Sequence, residues 1–274
     1  MVVKMKLINI GIAGCLGRMG KELVKETINN NKLNFIGGFE ISKHTNLNKK
    51  FSDLMGAQTH HTVTDNAENI FCNSDVVIDF TTQKSTSNNI SLAIKQNTPI
   101  VIGTTGLDNQ TLEYIKESSS KIAILLSSNM SMGVNLLFNL VQQAASILED
   151  IDYDIEISET HHKYKIDAPS GTALMLGEYA ARGRNSQLNK IKVYDRTKAE
   201  VKRNIGDIGF AVTRGGEVAG EHTVSFIGSN DRIDISHKAY NRSIFVKGAI
   251  EAAIFLSSKK NGLYSMSDVI NFKK

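Results

Sequence analysis

One short segment, residues 159–173 (ETHHKYKIDAPSGTA), concentrates the side chains of this chain that are best suited to chemistry. It places two adjacent imidazoles, His161 and His162, and the ammonium of Lys165 shortly before a Ser-Gly-Thr turn at residues 170–172. A histidine with an ordinary pKa of about 6.5 exchanges protons near neutral pH. The first N–H groups of a helix lack intrahelical partners and carry partial positive charge, so they attract carboxylates. The segment therefore predicts a site that binds an anion and supplies it with a proton.

Other interpretations of this segment stay open. A His-His pair at the end of a strand is often only part of a polar rim, and a Ser-Gly-Thr turn before a helix is often only a cap. Zinc is a further alternative, with Glu159, His161 and His162 as ligands. Adjacent histidines on a strand point to opposite faces, however, and no cysteine lies nearby, so we predict no metal site.

Length and composition limit the class of protein. The chain has 274 residues, 41% of them hydrophobic and 22% charged, which is typical of a globular protein of one large or two medium domains. The net charge of +4 is spread along the chain, so we expect no nucleic-acid partner. No apolar run approaches the ~18 residues of a membrane span. The two cysteines, Cys15 and Cys72, form no disulfide framework, and we expect a cytoplasmic location.

The first half of the chain alternates between short apolar runs and helix-like stretches. The predicted strands are Leu7–Ala13, Asn34–Glu40, Val76–Phe80, Pro99–Ile102 and Ile122–Leu126. The predicted helices between them include Arg18–Ile28, Thr86–Gln96 and Leu107–Ser118. This alternation predicts an α/β fold with a Rossmann-like, doubly wound parallel sheet, which binds ligands at the carboxyl ends of its strands.

The pattern changes after Asn129. Asn135–Leu148 has helical periodicity, and residues 153–157 alternate between apolar and acidic side chains. Three later segments are strand-like, and a helix over Ser243–Leu256 precedes a short tail; the three segments are Gly209–Thr213, Glu221–Ile227 and Arg232–Lys238. We therefore predict a second, α+β domain with a mixed or antiparallel sheet that is open on one face.

The first predicted strand leads into a glycine turn. The sequence INIGIAGCLGRMG places Gly14, Gly17 and Gly20 between this strand and a helix, where glycine lets backbone amides approach a pyrophosphate. The second strand ends at Glu40, where an acid can accept hydrogen bonds from a ribose. These features predict NADH or NADPH as cofactor. Cys15 is interpreted as a small space-filler, because no base stands near it in the sequence.

Several further motifs make the chain resemble one known family. They are, in order, GCLGRMG, VVIDFTT, VIGTTG, SSNMSMGVN, ETHHKYKIDAPSGTA, GDIGFAVTRGGEVAGEHTVSF and SHKAYNR. Together they resemble the dihydrodipicolinate reductases of the diaminopimelate and lysine route, over essentially the whole chain. The fifth motif is the most specific, because generic oxidoreductases share the glycine turn but not this element.

The resemblance implies a domain organisation and a reaction. It implies a dinucleotide-binding domain of residues 1–132 and 241–274 around a substrate-binding and oligomerisation domain of residues 133–240. The implied reaction is hydride transfer from NADH or NADPH to a cyclic, unsaturated dicarboxylate, which gives tetrahydrodipicolinate. The resemblance also implies a homotetramer that assembles through the sheet of the second domain.

Carried over by position, the resemblance assigns roles to individual residues. His161 is the implied proton donor and Lys165 a second catalytic group. The implied substrate ligands are His162, Ser170, Gly171, Thr172 and Arg242. The implied cofactor ligands are Gly14, Cys15, Leu16, Gly17, Arg18, Met19, Glu40, Gly103, Thr104, Thr105, Ser127, Ser128, Asn129 and Met130.

The chain departs from the family pattern at two places. Ile41 follows the acid of the second strand where many relatives have an arginine, and Thr82-Gln83 replaces an Arg-Pro-like continuation after DFT. Both changes weaken the case for NADPH, and neither affects the expected reaction. Two other functions remain to be weighed: a two-domain dehydrogenase of a sugar or semialdehyde, and a dinucleotide sensor without catalytic activity.

Overall fold

The computed structural model describes residues 6–197 and 202–271. The described chain divides into two compact units, one made of the residues up to Ser131 together with Ser243–Asn271, and the other lying within Met132–Arg242. The functional roles of the two domains stay predictions. No helix in the described ranges is long and apolar enough to cross a membrane.

Strands and helices alternate through most of the described chain. The strands are β1 (Ile8–Ala13), β2 (Leu33–Phe39), β3 (Val76–Asp79), β4 (Ile100–Ile102), β5 (Ala123–Leu126), β6 (Asp154–His161), β7 (Lys192–Val193), β8 (Ile208–Arg214), β9 (Gly220–Ile227), β10 (Arg232–Ala239) and β11 (Gly262–Tyr264). The helices are α1 (Arg18–Asn29), α2 (Phe51–Met55), α3 (Ala67–Asn73), α4 (Gln83–Gln96), α5 (Asn109–Ser118), α6 (Met132–Ile147), α7 (Gly171–Gly183), α8 (Leu188–Ile191), α9 (Ser243–Leu256) and α10 (Met266–Val269).

The sheet of the first unit is parallel throughout, in the order β11-β5-β4-β3-β1-β2. The strand order reverses between β1 and β3, and this switch point is where a doubly wound sheet opens a crevice for a ligand. The central strands are fully buried, because helices cover both faces of the sheet. The predicted Rossmann-like sheet is confirmed.

The tail of the chain holds the main surprise in this unit. It was predicted to be a short tail after α9, yet it adds a sixth strand, β11, which pairs in parallel with β5. The pattern of three residues, Gly262–Tyr264, is too short to stand out in the sequence. Helices α2 and α3 were also not predicted, because they span only five and seven residues.

The sheet of the second unit is mixed, in the order β10-β9-β6-β8-β7. Strand β6 runs parallel to β8 and antiparallel to β9. One face of the sheet packs on α6 and α7, where Ile155 and Ile157 of β6 meet Phe138 and Leu176. On the other face Ser158 is exposed, as it alternates with these core residues. The predicted mixed sheet is therefore confirmed.

Strand β6 is longer than the sequence pattern suggested. Apolar alternation predicted a strand over residues 153–157, but β6 continues to His161. The odd-numbered residues all face the helices, and the last two of them, Glu159 and His161, are polar and buried. The strand thus carries its inward-facing pattern from an apolar core into a polar cluster at its carboxyl end.

Candidate active site

The polar cluster in the second unit is organised around the carboxylate of Glu159. The side chain of Glu159 is fully buried. Its Oε1 accepts the backbone N–H of Ser170 at 2.9 Å and a guanidinium N–H of Arg214 at 2.9 Å. Its Oε2 accepts the other guanidinium N–H of Arg214 at 2.8 Å and lies 2.5 Å from Nδ1 of His161. A carboxylate has about four lone-pair positions, so these partners satisfy it completely.

These partners determine the charge state of the pair. Burial alone raises the pKa of Glu159, but the hydrogen bonds from Arg214, His161 and the Ser170 N–H outweigh it and leave the pKa below its ordinary value. Burial lowers the pKa of His161, although the neighbouring Glu159 carboxylate opposes that effect. Glu159 is therefore ionised at neutral pH, and it is the group that favours the protonated form of His161.

Arg214 also fixes the loop that carries Lys165. Its guanidinium donates to the backbone carbonyls of Asp167 at 2.7 Å and Lys165 at 3.3 Å. The ammonium of Lys165 forms an ion pair with the carboxylate of Asp167 at 2.9 Å, and its side chain is about one-fifth exposed. An anion that binds Lys165 must therefore compete with Asp167, whose side chain is largely exposed and easily resolvated.

The Ser-Gly-Thr turn is the start of helix α7, as predicted. Ser170 is the N-cap, and its hydroxyl accepts the N–H of Ala173 at 3.2 Å. The same hydroxyl lies 3.1 Å from Nε2 of His222, a residue of β9 whose pKa burial lowers to about 4. A Cβ at Gly171 would meet no atom within 4 Å. The first turn of α7 is thus rigidly capped and open at Gly171, as an anion site requires.

The two adjacent histidines have different surroundings. The ring of His161 packs edge-on against that of His222, with centroids 5.1 Å apart. A Cβ at Gly220 would lie 2.9 Å from Nε2 of His161, so this glycine keeps the outer nitrogen open. His162 follows the strand, and its N–H donates to Val218 O at 2.8 Å. No described residue forms a hydrogen bond with its buried Nδ1.

The structure disfavours the zinc alternative on chemical grounds. Every lone-pair position of Glu159 is engaged by N–H groups, and Nδ1 of His161 is one of the groups that bond it. Binding zinc through this carboxylate would mean giving up the bidentate Arg214 pair and would leave a half-buried guanidinium without its carboxylate partner.

The glycine turn of the first unit has the geometry of a phosphate-binding loop. Gly14 adopts a positive φ of 67°, and a Cβ there would lie 2.8 Å from the Thr81 methyl group. A Cβ at Gly20 would lie 2.1 Å from the carbonyl oxygen of Gly14, so the turn packs directly on α1. Gly17 is exposed and forms the N-cap of α1. The first N–H groups of α1 have no intrahelical partner, as a pyrophosphate site at a helix start requires.

Glu40 closes the far side of this turn. Its Oε1 accepts the N–H of Leu16 at 2.8 Å, which leaves Oε2 for other donors. Both residues line a cleft of about 640 Å³ in the first unit, together with Gly14, Ile41 and Asp65. Three features of this cleft fit a dinucleotide: glycines at positions where a Cβ would clash, a helix start, and an acid at the end of β2.

The loops after β3 and β4 are tied together by the buried carboxylate of Asp79. Asp79 accepts the hydroxyl of Thr81 at 2.6 Å and the side-chain amide of Asn89 at 3.0 Å. Burial raises the pKa of Asp79, whereas these bonds oppose the rise. Thr104 also belongs to this network, because its hydroxyl accepts the N–H of Thr81 at 3.1 Å. Gly103 lies beside the Phe80 ring, which a Cβ there would overlap.

The loop after β5 is held by its own side chains and by α9. The hydroxyl of Ser127 donates to Asn129 O at 2.7 Å, and the side chain of Asn129 accepts the Ser131 N–H at 2.9 Å. Met130 is buried, and Gly248 of α9 packs on its carbonyl oxygen. Ser128 is exposed at the tip.

The structure joins some of the predicted site residues and leaves others apart. His161, Lys165 and Ser170 belong to one hydrogen-bonded cluster through Glu159 and Arg214. The bonds described above do not join four other predicted site residues to this cluster: Arg18 and Met19 in the first turn of α1, exposed Thr105 after β4, and exposed Arg242 just before α9. Their roles stay predictions.

Sequence reasoning missed four residues of the cluster. Glu159 was considered only as a zinc ligand, and Arg214, Gly220 and His222 were not considered. The spacing of two between Glu159 and His161 is a usable signal, since residues i and i+2 of a strand share a face. The others lie on β8 and β9, and only the strand pairing brings them to β6.

Fold and site together define a class. The first unit has a parallel doubly wound sheet with a glycine turn at its switch point, and the second unit carries a His–Glu pair beside a helix start. These features define a two-domain, dinucleotide-dependent oxidoreductase. Comparisons with known proteins identify the family within this class. The model of the dihydrodipicolinate reductase N-terminus matches residues 8–130, and that of the C-terminus matches residues 133–270.

Individual proteins agree with the family models. The chain is 40% identical to the 4-hydroxy-tetrahydrodipicolinate reductase of Nitrosospira multiformis, over 98% of this chain and all of that protein. It resembles the solved structure of a dipicolinate-bound dihydrodipicolinate reductase from Paenisporosarcina sp. TG-14, with a TM-score of 0.77, 23% identity and 98% and 100% of the two chains covered. This protein therefore belongs to the dihydrodipicolinate reductase family.

The fold alone does not select the substrate. The solved scyllo-inositol dehydrogenase of Lactobacillus casei shares the fold with a TM-score of 0.58 over 97% of this chain and 93% of its own, at only 10% identity. The site and the sequence similarity, and not the fold, carry the functional argument.

Proposed function

We propose that this protein reduces 4-hydroxy-tetrahydrodipicolinate to tetrahydrodipicolinate with NADH or NADPH, in diaminopimelate and lysine biosynthesis. The family to which the chain belongs supports this reaction. The observation that carries it is the cluster in which Glu159 holds His161 beside Lys165 and the capped start of α7. This cluster combines a proton donor with two positive groups for a carboxylate.

His161 is the proposed proton donor. The reaction eliminates the 4-hydroxyl group and a hydrogen of a neighbouring ring carbon as water, and it adds a hydride and a proton to the ring. The bound nicotinamide supplies the hydride, and the protein must supply the proton. His161 is suited to this step, because its Nδ1 is engaged by Glu159 while Gly220 leaves Nε2 open.

The carboxylates of the substrate are proposed to bind Lys165, His162 and the first turn of α7, through Ser170, Gly171 and Thr172. Lys165 contributes a charge that now pairs with exposed Asp167. His162 contributes a buried Nδ1 that no described residue satisfies. Such charge-assisted hydrogen bonds are stronger than neutral ones and suit a dianion. Arg242 is proposed as a further ligand on the resemblance of SHKAYNR alone.

The cofactor is proposed to bind the first unit, with its pyrophosphate at Gly14–Met19 and a ribose at Glu40. The open Oε2 of Glu40 suits a ribose hydroxyl, whereas a 2′-phosphate would meet the carboxylates of Glu40 and Asp65 in the same cleft. The exposed side chain of Ile41 offers no compensating charge. We therefore propose that NADH serves at least as well as NADPH. The loops at Gly103–Thr105 and Ser127–Met130 complete the proposed cofactor site.

We further propose that the protein is a cytoplasmic homotetramer that assembles through the sheet of the second unit. The face of this sheet that α6 and α7 leave uncovered exposes the small side chains of Ser158, Ala211 and Thr213. Small side chains permit close approach of a second sheet. Sedimentation equilibrium of the purified protein tests the assembly, and a monomer at micromolar concentration would contradict it.

An assay of the purified protein tests the reaction. The substrate is generated enzymatically, and oxidation of NADH or NADPH is followed by absorbance. Rapid oxidation with this substrate, but not with a sugar or a semialdehyde, is expected. Oxidation with the sugar or semialdehyde alone would favour the other dehydrogenase function, and nucleotide binding without turnover of any substrate would indicate a sensor.

A further inference from the structure

Glu159 is held in place by groups other than His161. Two N–H groups of Arg214 and the N–H of Ser170 bond its two oxygens at 2.8–2.9 Å. Arg214 is in turn bonded to the carbonyls of Thr213 and Asp167. These bonds fix the position of the Glu159 carboxylate without any help from His161. The carboxylate therefore orients the imidazole of His161.

The contact to His161 has a defined polarity. At 2.5 Å from Oε2, Nδ1 of His161 must carry a hydrogen, because an ionised carboxylate only accepts. The ring then presents Nε2 on its opposite edge, beside the open position at Gly220. Only 10% of the His161 side chain is exposed, so few other ring orientations are accessible.

From this geometry we propose that Glu159 is the positioning residue of the reaction, fixing the Nδ1–H form of His161 and stabilising its imidazolium, with Arg214 holding Glu159 for that role. This inference rests on the proposed function, in which His161 donates the proton. It gives a role in the reaction to Glu159, which the sequence suggested only as a possible zinc ligand.

The proton balance of the step follows from this arrangement. His161 enters the step as the imidazolium, with hydrogens on both nitrogens. The Nε2–H bond breaks as the proton passes to the substrate, and the neutral ring keeps its Nδ1 hydrogen on Glu159. The carboxylate takes up no proton, and its negative charge offsets the imidazolium charge before transfer.

Several charged or titratable groups act on His161, and Glu159 is the one that favours its charge. Lys165 and Arg214 are cationic and lower the pKa of His161, as does burial, which is the largest effect. His222 packs against the ring from β9 and is neutral near pH 7, since its pKa lies at about 4. Removing the carboxylate therefore lowers the pKa of His161 further.

The test compares Glu159→Gln with a matched control on the same strand. Glu156→Gln removes a carboxylate from the opposite face of β6, where it pairs with Arg196 and Arg203. Glu159→Gln should lower kcat by roughly 10²-fold, the lower end of what a positioned proton donor contributes, and kcat should fall more than KM rises. Glu156→Gln should leave both close to the parent values.

Two readouts separate positioning from mere structural support. In Glu159→Gln the fall of kcat/KM at high pH should begin at a lower pH than in the parent. Nitrogen NMR of the His161 ring, assigned with His161→Gln, should show the Nδ1–H form in the parent and a lower pKa in the variant. An unchanged pH profile together with an unchanged ring spectrum would overturn the proposal, however much the activity fell.

Two controls keep the test decisive. If Glu159→Gln alone does not fold, Glu159→Gln combined with Arg214→Met removes both charges of the ion pair, which proteins tolerate better than the loss of one. The NMR readout needs no substrate, so it remains valid if the protein reduces a different compound. A parent that is inactive would refute the proposed function, whereas an active parent with an unaffected Glu159→Gln variant would refute only the positioning role.

Discussion

The replacement of Gly220 by alanine should abolish most of the activity by obstructing Nε2 of His161. A Cβ at this position would lie 2.9 Å from Nε2, closer than real Cβ contacts allow. The ring cannot retreat without losing its 2.5 Å contact with Glu159. The new methyl group therefore occupies the place from which a substrate atom must approach this nitrogen.

Gly220→Ala should lower both the stability of the protein and its turnover rate. Gly220 has a φ of 154°, which L side chains rarely adopt, and residues in such regions cost about 1–3 kcal/mol. This strain lowers the free energy of unfolding. Displacing a proton donor from its position should lower kcat by roughly 10²-fold, the lower part of the range for general acid catalysis.

The assay is steady-state oxidation of NADH, with thermal unfolding measured on the same samples. Gly215→Ala is the matched control, because Gly215 lies in the connection that leads from β8 to Gly220, and a Cβ there would meet no atom within 4 Å. It should keep parent activity. A Gly220→Ala variant that is destabilised but turns over at the parent rate would refute the assignment of Nε2 as the open, reacting nitrogen.

Three further predictions concern charge. Lys165→Ala should raise KM and lower kcat, with a combined loss in kcat/KM of about 1.5–3 kcal/mol, the value of one charge-assisted contact. Lys163→Ala should matter less, because Lys163 is exposed above the Tyr164 ring. A larger loss of kcat/KM in Lys163→Ala would contradict the proposed site. Ile41→Arg should shift the ratio of kcat/KM for NADPH and NADH toward NADPH by roughly tenfold, which corresponds to about 1.4 kcal/mol. A parent strongly selective for NADPH would show that Arg18 or Lys43 already binds the 2′-phosphate. The free energy of unfolding of the parent should fall as the pH is lowered from about 6.5 to about 4, because burial keeps His222 neutral in the folded protein while the unfolded chain takes up a proton. The contribution of His222 to this fall is on the order of 3 kcal/mol. Chemical denaturation of His222→Gln should therefore show a shallower fall than that of the parent.

The sequence predicted the parts of the fold that repeat a strong local pattern. The apolar runs of β1 to β5 and the helical periodicity of α6 and α9 were visible without any knowledge of the tertiary structure. Strand β11 was not, because three residues carry no period and depend on pairing with β5. Strand β6 was predicted too short, since its inward face changes from Ile157 to Glu159 and the apolar alternation stops there.

The candidate site was predicted in the same uneven way. His161, Lys165 and the cap at Ser170 lie within one segment, so their types and spacing were informative. Arg214 and Gly220 lie on strands that pair with β6 far along the chain, and no local spacing reports that register. From the sequence, Lys165 was assigned to an anionic ligand and Asp167 was not considered, although its carboxylate pairs with Lys165 in the structure.

The central claim, that His161 protonates the substrate, is tested most directly by His161→Gln. Its single-turnover rate should be measured with saturating NADH and enzymatically generated 4-hydroxy-tetrahydrodipicolinate, beside its affinity for NADH. The expected result is a rate lowered by roughly 10²-fold or more, with folding and NADH affinity unchanged. A variant that reduces the substrate at the parent rate would contradict the claim.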